Sequence, residues 1–355
     1  MTSIDQTQPI LVTGATGYVA GWVIQRLLEH GRTVHAAVRD PSNRKKIQHL
    51  HDMADAAPGK VELFKADLLN PGSYSEAMKD CELVFHTASP FALGVKDPIK
   101  QLIEPAKLGT RNVLASVDAT PSVKRVVLTS SCAAIFGDNV DLQSAPTGEF
   151  TEEVWNTTSS ADHQPYSYSK TLAEQEAWDI AGKQERWDLV VVNPSLVMGP
   201  GTNPRGTSES FTIIKQLGDG TFKMGAPRIG MGVVDVCDLA EAHLLAAFNP
   251  SAQGRHIISG HNTDISEFGP LLRAKFGDRY PFPKGTMPKW LVWLGGPLKN
   301  KALTRKMVHR NAGLPWKANN KKSLTQLGVS YRPLSETLTD FFQQMVDEGI
   351  VDSHK

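Results

Sequence analysis

Short apolar runs alternate with helix-like patterns over roughly the first 200 residues. Six runs have the length and composition of buried strands: Ile10–Thr13, Thr33–Val38, Val61–Lys65, Leu83–Thr87, Arg125–Thr129 and Leu189–Val192. Between them lie segments with helical spacing, such as Val23, Ile24, Leu27 and Leu28 after the first run. This alternation predicts an α/β fold built on a doubly wound parallel sheet.

A glycine-containing turn, Gly14-Ala15-Thr16-Gly17, separates the first strand from the first helix. Glycines let backbone amides approach a pyrophosphate, and the helix N-terminus adds free N–H groups and the positive end of the helix dipole. Ala20 stands where a third glycine often occurs. The context predicts a dinucleotide-binding sheet of the Rossmann type.

Charged residues after the second strand bear on the choice of cofactor. Arg39 and Asp40 stand where NAD-binding proteins usually place an acid for the ribose 2′-hydroxyl. An arginine favours a 2′-phosphate, and therefore NADP(H). Arg44, Lys45 and Lys46 either close over the same phosphate or form a solvated helix face. Asp40 leaves NAD open as the minority alternative.

The ends of the third and fourth strands carry polar and small residues. Asp67 either meets the adenine or caps a helix, and both interpretations remain open. Ala88 and Ser89 are small enough for a ribose to approach the strand end. His86 is interpreted as a packing residue.

Beyond the sixth strand the chain becomes rich in loops, beginning at Gly201–Gly206. We predict a dinucleotide-binding domain over 1–199 and a smaller C-terminal α/β substrate domain over 200–355, with part of 229–260 returning to the first domain. Phe211, Ile214, Leu217 and Phe222 either line a pocket or, as favoured here, pack in a helix core. The segment Pro281–Trp316 shows no clear periodicity, and its large apolar residues indicate a lid or an interface.

Composition excludes several classes of function. The 355 residues carry a net charge of +1, which argues against a broad nucleic-acid or membrane surface. The three cysteines lack disulfide or metal-ligand spacing, and no run approaches the roughly 18 apolar residues of a membrane span. We expect a cytoplasmic protein without a metal, either a monomer or a homodimer.

The stretch Tyr166-Ser167-Tyr168-Ser169-Lys170 lies at the start of a predicted helix, after Pro165. Tyr166 and Lys170 are four residues apart and share one face. A nearby positive charge lowers the pKa of a phenol from about 10, so such a tyrosine can exchange a proton near neutral pH. Taken alone, the pair is equally typical of a protein surface.

Ser130 and Ser131 follow the fifth strand directly, about 35 residues before Tyr166. A hydroxyl at the carboxyl end of a parallel strand can lie beside the phenol. Serines are also common in turns. Together with the glycine turn, however, the serine and the Tyr/Lys pair indicate the active site of a reductase.

Several motifs together resemble the extended short-chain dehydrogenase/reductases: Thr13-Gly14-x-x-Gly17, Thr129-Ser130-Ser131, Tyr166-x-x-x-Lys170 and Asn193–Pro200. Three others are similar to the branch that contains dihydroflavonol reductases, cinnamoyl-CoA reductases and microbial NADPH-dependent aldehyde and ketone reductases: Val38–Pro41, Ser169–Glu174 and Val234–His243. The resemblance runs from about Ile10 to Gly349 and weakens between Tyr280 and Lys317.

The resemblance implies roles for individual residues. It implies Ser131, Tyr166 and Lys170 as the catalytic triad, with Ser130 as the alternative serine. It also implies Arg39 and Lys46 on the 2′-phosphate and Pro194 against the nicotinamide. The full set of expected NADP(H)-binding residues is Thr13, Gly14, Thr16, Gly17, Tyr18, Val19, Arg39, Lys46, Asp67, Leu68, Thr87, Ala88, Ser89, Tyr166, Lys170, Pro194, Val197 and Ser210.

Two departures from the branch narrow the substrate. Dihydroflavonol reductases carry an asparagine shortly after the catalytic serine, whereas Cys132–Phe136 is apolar here. Cinnamoyl-CoA reductases carry an Asn-Trp-Tyr-Cys-Tyr-x-x-Lys-type motif, which Gln164–Lys170 does not match. Neither a dihydroflavonol nor a cinnamoyl-CoA substrate is favoured. The remaining alternative within this branch is a less selective carbonyl reductase.

We therefore predict NADPH-dependent reduction of an aldehyde or ketone to an alcohol. Tyr166 gives a proton to the carbonyl oxygen as hydride reaches the carbon, Ser131 hydrogen-bonds that oxygen, and Lys170 holds the ribose and lowers the pKa of Tyr166. Two alternatives stay open: an NAD-dependent sugar-nucleotide epimerase or dehydratase, which Arg39 disfavours, and a non-catalytic cofactor-sensing protein.

Overall fold

The computed structural model describes residues 2–90, 96–206, 208–299 and 303–352. Twelve strands occur in this part of the chain: β1 Ile10–Thr13, β2 Thr33–Val38, β3 Lys60–Lys65, β4 Leu83–His86, β5 Arg125–Thr129, β6 Asp188–Pro194, β7 Leu196–Met198, β8 Ala226–Pro227, β9 Gly230–Asp235, β10 Gly254–Ile258, β11 His261–Asp264 and β12 Thr286–Met287. The α-helices of the same residues are α1 Tyr18–Glu29, α2 Arg44–Asp55, α3 Ser75–Met78, α4 Glu104–Asp118, α5 Pro165–Ala181, α6 Glu209–Gly218, α7 Val236–Phe248, α8 Phe268–Phe276, α9 Lys289–Lys299, α10 Arg305–Asn311 and α11 Leu334–Asp347.

Seven strands form one parallel sheet in the order β10-β6-β5-β4-β1-β2-β3. The order reverses between β1 and β4, as it does in doubly wound dinucleotide-binding sheets, where ligands bind beyond the carboxyl ends of the strands at such a reversal. The predicted α/β class and doubly wound parallel sheet are confirmed.

Alternating side chains of the strands feed two separate cores. Ile10 and Val12 of β1 pack with α1, α2 and α7 on one face of the sheet. Leu11 packs with α3, α4 and α5 on the other face. Because successive side chains of a strand point to opposite faces, a run of apolar residues is what a sheet covered on both sides requires.

The C-terminal part adds a smaller layer. β7, β9 and β11 form a three-stranded sheet, and α6, α8 and α11 share an aromatic core with it. β10 returns to the edge of the main sheet, and α7 packs against α1. The boundary between a cofactor domain and a substrate domain stays a prediction.

A π-helical turn, Ile99–Ile103, leads directly into α4. Within Pro281–Trp316, where no periodicity was recognised, the structure has β12, α9 and α10, while residues 300–302 lie outside the described residues. Trp290 and Trp293 of α9 are exposed. Phe211, Ile214 and Leu217 are buried in the helix core and Phe222 packs against it, as favoured from the sequence.

Candidate active site

A cavity of about 500 Å³ opens at the carboxyl ends of the central strands. Twelve of the predicted site residues line it: Gly14, Gly17, Tyr18, Val19, Thr87, Ser89, Ser131, Tyr166, Lys170, Pro194, Val197 and Ser210. These residues come from distant parts of the sequence, yet they share one cavity. The remaining predicted residues lie behind its wall or farther along the sheet edge.

The glycine turn packs closely against the residues that follow β4, with no room for a side chain at its first glycine. Gly14 has a φ of +64°, and a Cβ on it would lie 2.9 Å from the Cα of Ala88. Gly17 is the residue before α1, and no side chain caps the helix N-terminus there. The first N–H groups of α1 are therefore available to an anion, and the turn fits the pyrophosphate of a dinucleotide.

Thr13 supports this turn from behind the cavity. Its side chain is fully buried, and its Oγ lies 3.0 Å from His86 Nδ1 and accepts the N–H of Ala88 at 3.0 Å. Thr87 donates its hydroxyl to the Thr13 carbonyl at 2.5 Å. The Thr13 side chain therefore holds two strand ends together and does not line the cavity. Its predicted contact with the cofactor stays a prediction. His86 is a packing residue, as interpreted from the sequence.

Arg39 and Lys46 are exposed at the far end of the same sheet edge, where a cofactor's adenosine half would lie. Asp40 accepts the N–H and the hydroxyl of Ser42 at 3.0 and 2.6 Å, and these bonds hold the pKa of Asp40 below its usual value. Asn43 caps α2, whose first turn contains cations and no acid. Cations at this positive end of a helix are unfavourable unless an anion offsets them.

Thr16 is exposed in the glycine turn itself. Asp67 Oδ1 accepts the N–H of Leu69 at 2.9 Å, so its carboxylate stabilises a local turn. Leu68 packs against Gly109 and accepts a hydrogen bond from Asn112 at 2.8 Å. None of these three lines the cavity, and their contact with a cofactor stays a prediction.

The structure distinguishes the two candidate serines. The side chains of Ser131 and Tyr166 are hydrogen-bonded to each other, and Ser131 Oγ also accepts the N–H of Ala133 at 3.1 Å. Ser130 instead donates to the buried carboxylate of Glu174 at 2.5 Å. Ser131 is thus the serine bonded to the phenol, which favours it over Ser130, and its catalytic role stays a prediction.

Lys170 lies one turn after Tyr166 on α5, with Nζ 6.0 Å from the centroid of the Tyr166 ring. Burial lowers the pKa of Lys170 to about 8, and the charge of Glu174 opposes this shift. Burial raises the pKa of Tyr166 to about 12, and the bond with Ser131 opposes that rise. The expected lowering of the Tyr166 pKa by Lys170 is therefore wrong for this structure, because desolvation of the phenol dominates. At neutral pH Tyr166 carries a proton that it can donate.

A buried polar network fixes the start of α5. Gln164 has a left-handed conformation, with φ 55°, and donates to Asp138 at 3.2 Å. Asp138 is fully buried and also binds His163, Arg310 and Asn311 at 2.7, 2.5 and 2.7 Å. These donors hold the pKa of Asp138 below its usual value despite burial. The network ties α5 to α10 across more than 140 residues of sequence, and no local motif revealed it.

The other wall of the cavity is mostly apolar. Apart from Cys132–Phe136, its residues were not identified from the sequence. Its residues include Cys132, Ala133, Phe136, Met231 and Trp316. Trp316 is 4% exposed, and its Nε1 has no hydrogen-bond partner among the described residues. Its ring lies against Gly232, where a Cβ would overlap it, and packs edge-on against Phe136. Trp316 thus gives the cavity an aromatic surface, and its N–H is buried without a partner among the described residues.

Residues 2–90, 96–206, 208–299 and 303–352 contain no cluster of metal-ligating side chains and no helix long and apolar enough to cross a membrane. The three cysteines are free and buried.

The fold and the cavity define a dinucleotide-binding α/β protein with a Ser/Tyr/Lys group beside the bound cofactor's expected position. Residues 10–259 match the NAD dependent epimerase/dehydratase family, and the chain belongs to that family. Its match to the family covers the whole main sheet, including β10.

Relatives are similar over most of the chain. Identity is 35% to a cinnamoyl-CoA reductase of Medicago truncatula, over 98% of both chains, and 35% to a bifunctional dihydroflavonol 4-reductase/flavanone 4-reductase of Malus domestica, over 77% of each. The solved yeast methylglyoxal/isovaleraldehyde reductase, complexed with NADPH, superimposes with a TM-score of 0.76 at 25% identity, covering 97% of this chain and 100% of that one. These relatives support the reductase branch that the motifs indicated.

Proposed function

We propose that this protein reduces an aldehyde or ketone to an alcohol with NADPH. The observation that carries the proposal is the shared cavity: the glycine turn, the Ser131–Tyr166 pair and Lys170 all face it. A dinucleotide bound along the strand ends would bring its nicotinamide to this group. The relatives named above are reductases, and the solved one binds NADPH.

NADPH would supply the hydride that reaches the carbonyl carbon. The remaining chemistry belongs to the chain. Tyr166 donates its hydroxyl proton to the carbonyl oxygen, and Ser131 donates a hydrogen bond to the same oxygen as negative charge develops there. The Lys170 ammonium holds the ribose and supplies positive charge next to the phenol. Thr87, Ser89, Pro194, Val197 and Ser210 line the same cavity and would surround the nicotinamide half of the cofactor.

Selection of NADPH over NADH is assigned to Arg39. Its guanidinium stands at the end of β2, and Lys46 lies in the cation-rich first turn of α2. Asp40, the residue that would favour NAD, is hydrogen-bonded within its own turn. A 2′-phosphate at this place would relieve the repulsion between the helix dipole and the cations of α2.

The substrate pocket favours an uncharged carbonyl compound. Its wall combines Phe136, Met231 and Trp316 with the free Trp316 N–H, and the partly buried Glu209 adds a carboxyl group whose pKa burial raises. An anionic substrate would meet no cation here except Lys170 among the described lining residues. Methylglyoxal, isovaleraldehyde and aryl ketones fit this description better than nucleotide sugars.

The test is NADPH oxidation by the purified protein with methylglyoxal, isovaleraldehyde, acetophenone, cinnamaldehyde and UDP-glucose. We expect stoichiometric oxidation of NADPH with one or more of the four uncharged carbonyl compounds. Conversion of UDP-glucose without net cofactor oxidation would instead support the epimerase alternative. Tight NADPH binding without turnover of any compound would support a sensing role, and either result would overturn the proposal.

A further inference from the structure

A buried carboxylate, Glu174, lies on α5 one turn beyond Lys170. It is 1% exposed and accepts four hydrogen bonds from side chains of different elements. The donors are Arg255 Nε at 2.6 Å, Ser130 Oγ at 2.5 Å, Asn193 Nδ2 at 2.7 Å and Trp178 Nε1 at 3.3 Å. A buried charge without such partners would be strongly destabilising, and here the four donors stabilise the carboxylate of Glu174.

The main partner of Glu174 is itself held in place. Arg255 of β10 is 7% exposed and donates to the carbonyls of Glu152 and Val154 at 2.9 and 2.7 Å. Its guanidinium lies 4.0 Å from the ring centroid of Trp155. Because the arginine is fixed on both sides, the carboxylate of Glu174 has one position available to it.

Two of the four donors stand directly before residues of the proposed active site. Ser130 precedes Ser131 at the end of β5, and Asn193 precedes Pro194 at the end of β6. Asn193 Nδ2 also donates to the Ser131 carbonyl at 3.2 Å. One carboxylate therefore links the helix that carries Tyr166 and Lys170 to the strand ends that carry Ser131 and Pro194.

We propose that Glu174 is a positioning residue, which fixes α5 against β5 and β6 so that Tyr166 and Ser131 reach the same carbonyl oxygen, and whose carboxylate, one turn beyond Lys170 on the same helix, acts on the charge of that lysine. The inference rests on the proposed reductase function. It adds Glu174 as a residue that acts on the reaction through the positions of Ser131, Tyr166 and Lys170.

The charge effect follows from the groups that face Lys170. Tyr166 and Glu174 face it from α5 and His86 from β4, while Arg255 of β10 acts through Glu174. Burial makes His86 neutral by lowering its pKa to about 3. Glu174 is the charged group that raises the pKa of Lys170. Lys170 is protonated below pH 8, and loss of the Glu174 charge would make it release its proton at lower pH.

The experiment compares Glu174→Gln with Glu176→Gln. Glu176 lies on the same helix, but it pairs with Lys107 and Arg111 of α4 at 3.3 and 2.8 Å. We expect Glu174→Gln to lower kcat about a hundredfold, the cost of a small misplacement of reacting groups. The basic limb of its pH profile should move towards lower pH by about one pH unit. Glu176→Gln should keep the wild-type kcat and profile.

Glu174→Gln leaves Arg255 buried and unpaired, which by itself lowers stability. The double variant Glu174→Gln/Arg255→Gln removes that charge. We expect it to recover the wild-type melting temperature in part, yet neither kcat nor the position of the basic limb. Recovery of kcat together with the melting temperature would show a purely structural role and overturn the inference.

Failure of the inference and failure of the proposed function are distinguishable. An unchanged pH profile in Glu174→Gln, with the wild type reducing carbonyl compounds, would overturn only the role of Glu174. A wild-type protein that oxidises NADPH with no carbonyl compound would overturn the function itself.

Discussion

Replacement of Arg39 by alanine tests the choice of cofactor. The guanidinium is exposed at the end of β2, and no acid occurs in the first turn of α2 beside it. A charge-assisted hydrogen bond to a 2′-phosphate contributes about 1.5 to 3 kcal/mol. Since each 1.4 kcal/mol is about a factor of ten, Arg39→Ala should weaken NADPH binding about ten- to a hundredfold. Solvent screening of an exposed pair favours the lower figure.

The assay is calorimetric titration of wild type and variant with NADPH and with NADH, at low and at high ionic strength. NADH has no 2′-phosphate, so its affinity should barely change, and the NADPH difference should shrink as salt increases. Asp40→Asn is the matched variant, because an amide oxygen can still accept the bonds from Ser42. It should not weaken NADPH. Equal loss of both cofactors in Arg39→Ala, or a wild type that prefers NADH, would refute the reasoning.

Two further predictions concern residues that line the cavity, Gly14 and Trp316. Gly14→Ala and Gly72→Ala both place a side chain at positive φ, which costs about 1 to 2 kcal/mol in the free energy of unfolding. In Gly14→Ala the new methyl group also meets Ala88. Gly72→Ala is the control, because nothing lies within 4 Å of its new methyl group. Thermal melts should show the larger loss for Gly14→Ala, and titration should show weaker NADPH binding for that variant alone; equal effects would contradict the close approach. Trp316→Phe keeps an aromatic ring but removes the unpartnered indole N–H. KM should rise about tenfold for substrates whose carbonyl or hydroxyl oxygen accepts a hydrogen bond from this N–H. Unchanged KM values for every reduced compound would exclude that contact.

Six of the seven strands of the main sheet could be predicted from the sequence because their signal is local, whereas β10 was expected only as part of the segment 229–260 that returns to the first domain. Each strand is a short apolar run, and the glycine turn lies between the first run and its helix. Observed strand bounds differ from the predicted ones by two residues or fewer, as for β6, Asp188–Pro194 instead of Leu189–Val192. Ser131, Tyr166 and Lys170 could be proposed from the sequence for the same reason, since each lies in a short motif at the end of a strand or the start of a helix, and all three line one cavity.

Other features depend on contacts that the sequence does not display. Glu174 lies inside a recognised motif, but three of its four donors come from the end of β5, from β6 and from β10, so its contacts could be seen only in the fold. Trp316 meets Phe136 across 180 residues. α9 was missed because Gly295, Gly296 and Pro297 interrupt its pattern, although the helix continues through them. The raised pKa of Tyr166 reflects burial, which a motif cannot show.

The central claim is that Tyr166 donates the proton, and steady-state kinetics of Tyr166→Phe tests it most directly. General acid catalysis of this kind contributes about 10² to 10⁴ in rate, so kcat should fall at least a hundredfold while NADPH affinity and the melting temperature stay near wild type. Tyr168 is the matched control: two residues along a helix turn the side chain by roughly 200°, and Tyr168 does not line the cavity. Tyr168→Phe should therefore retain most of the activity. A Tyr166→Phe enzyme that still turned over at the wild-type rate would contradict the account.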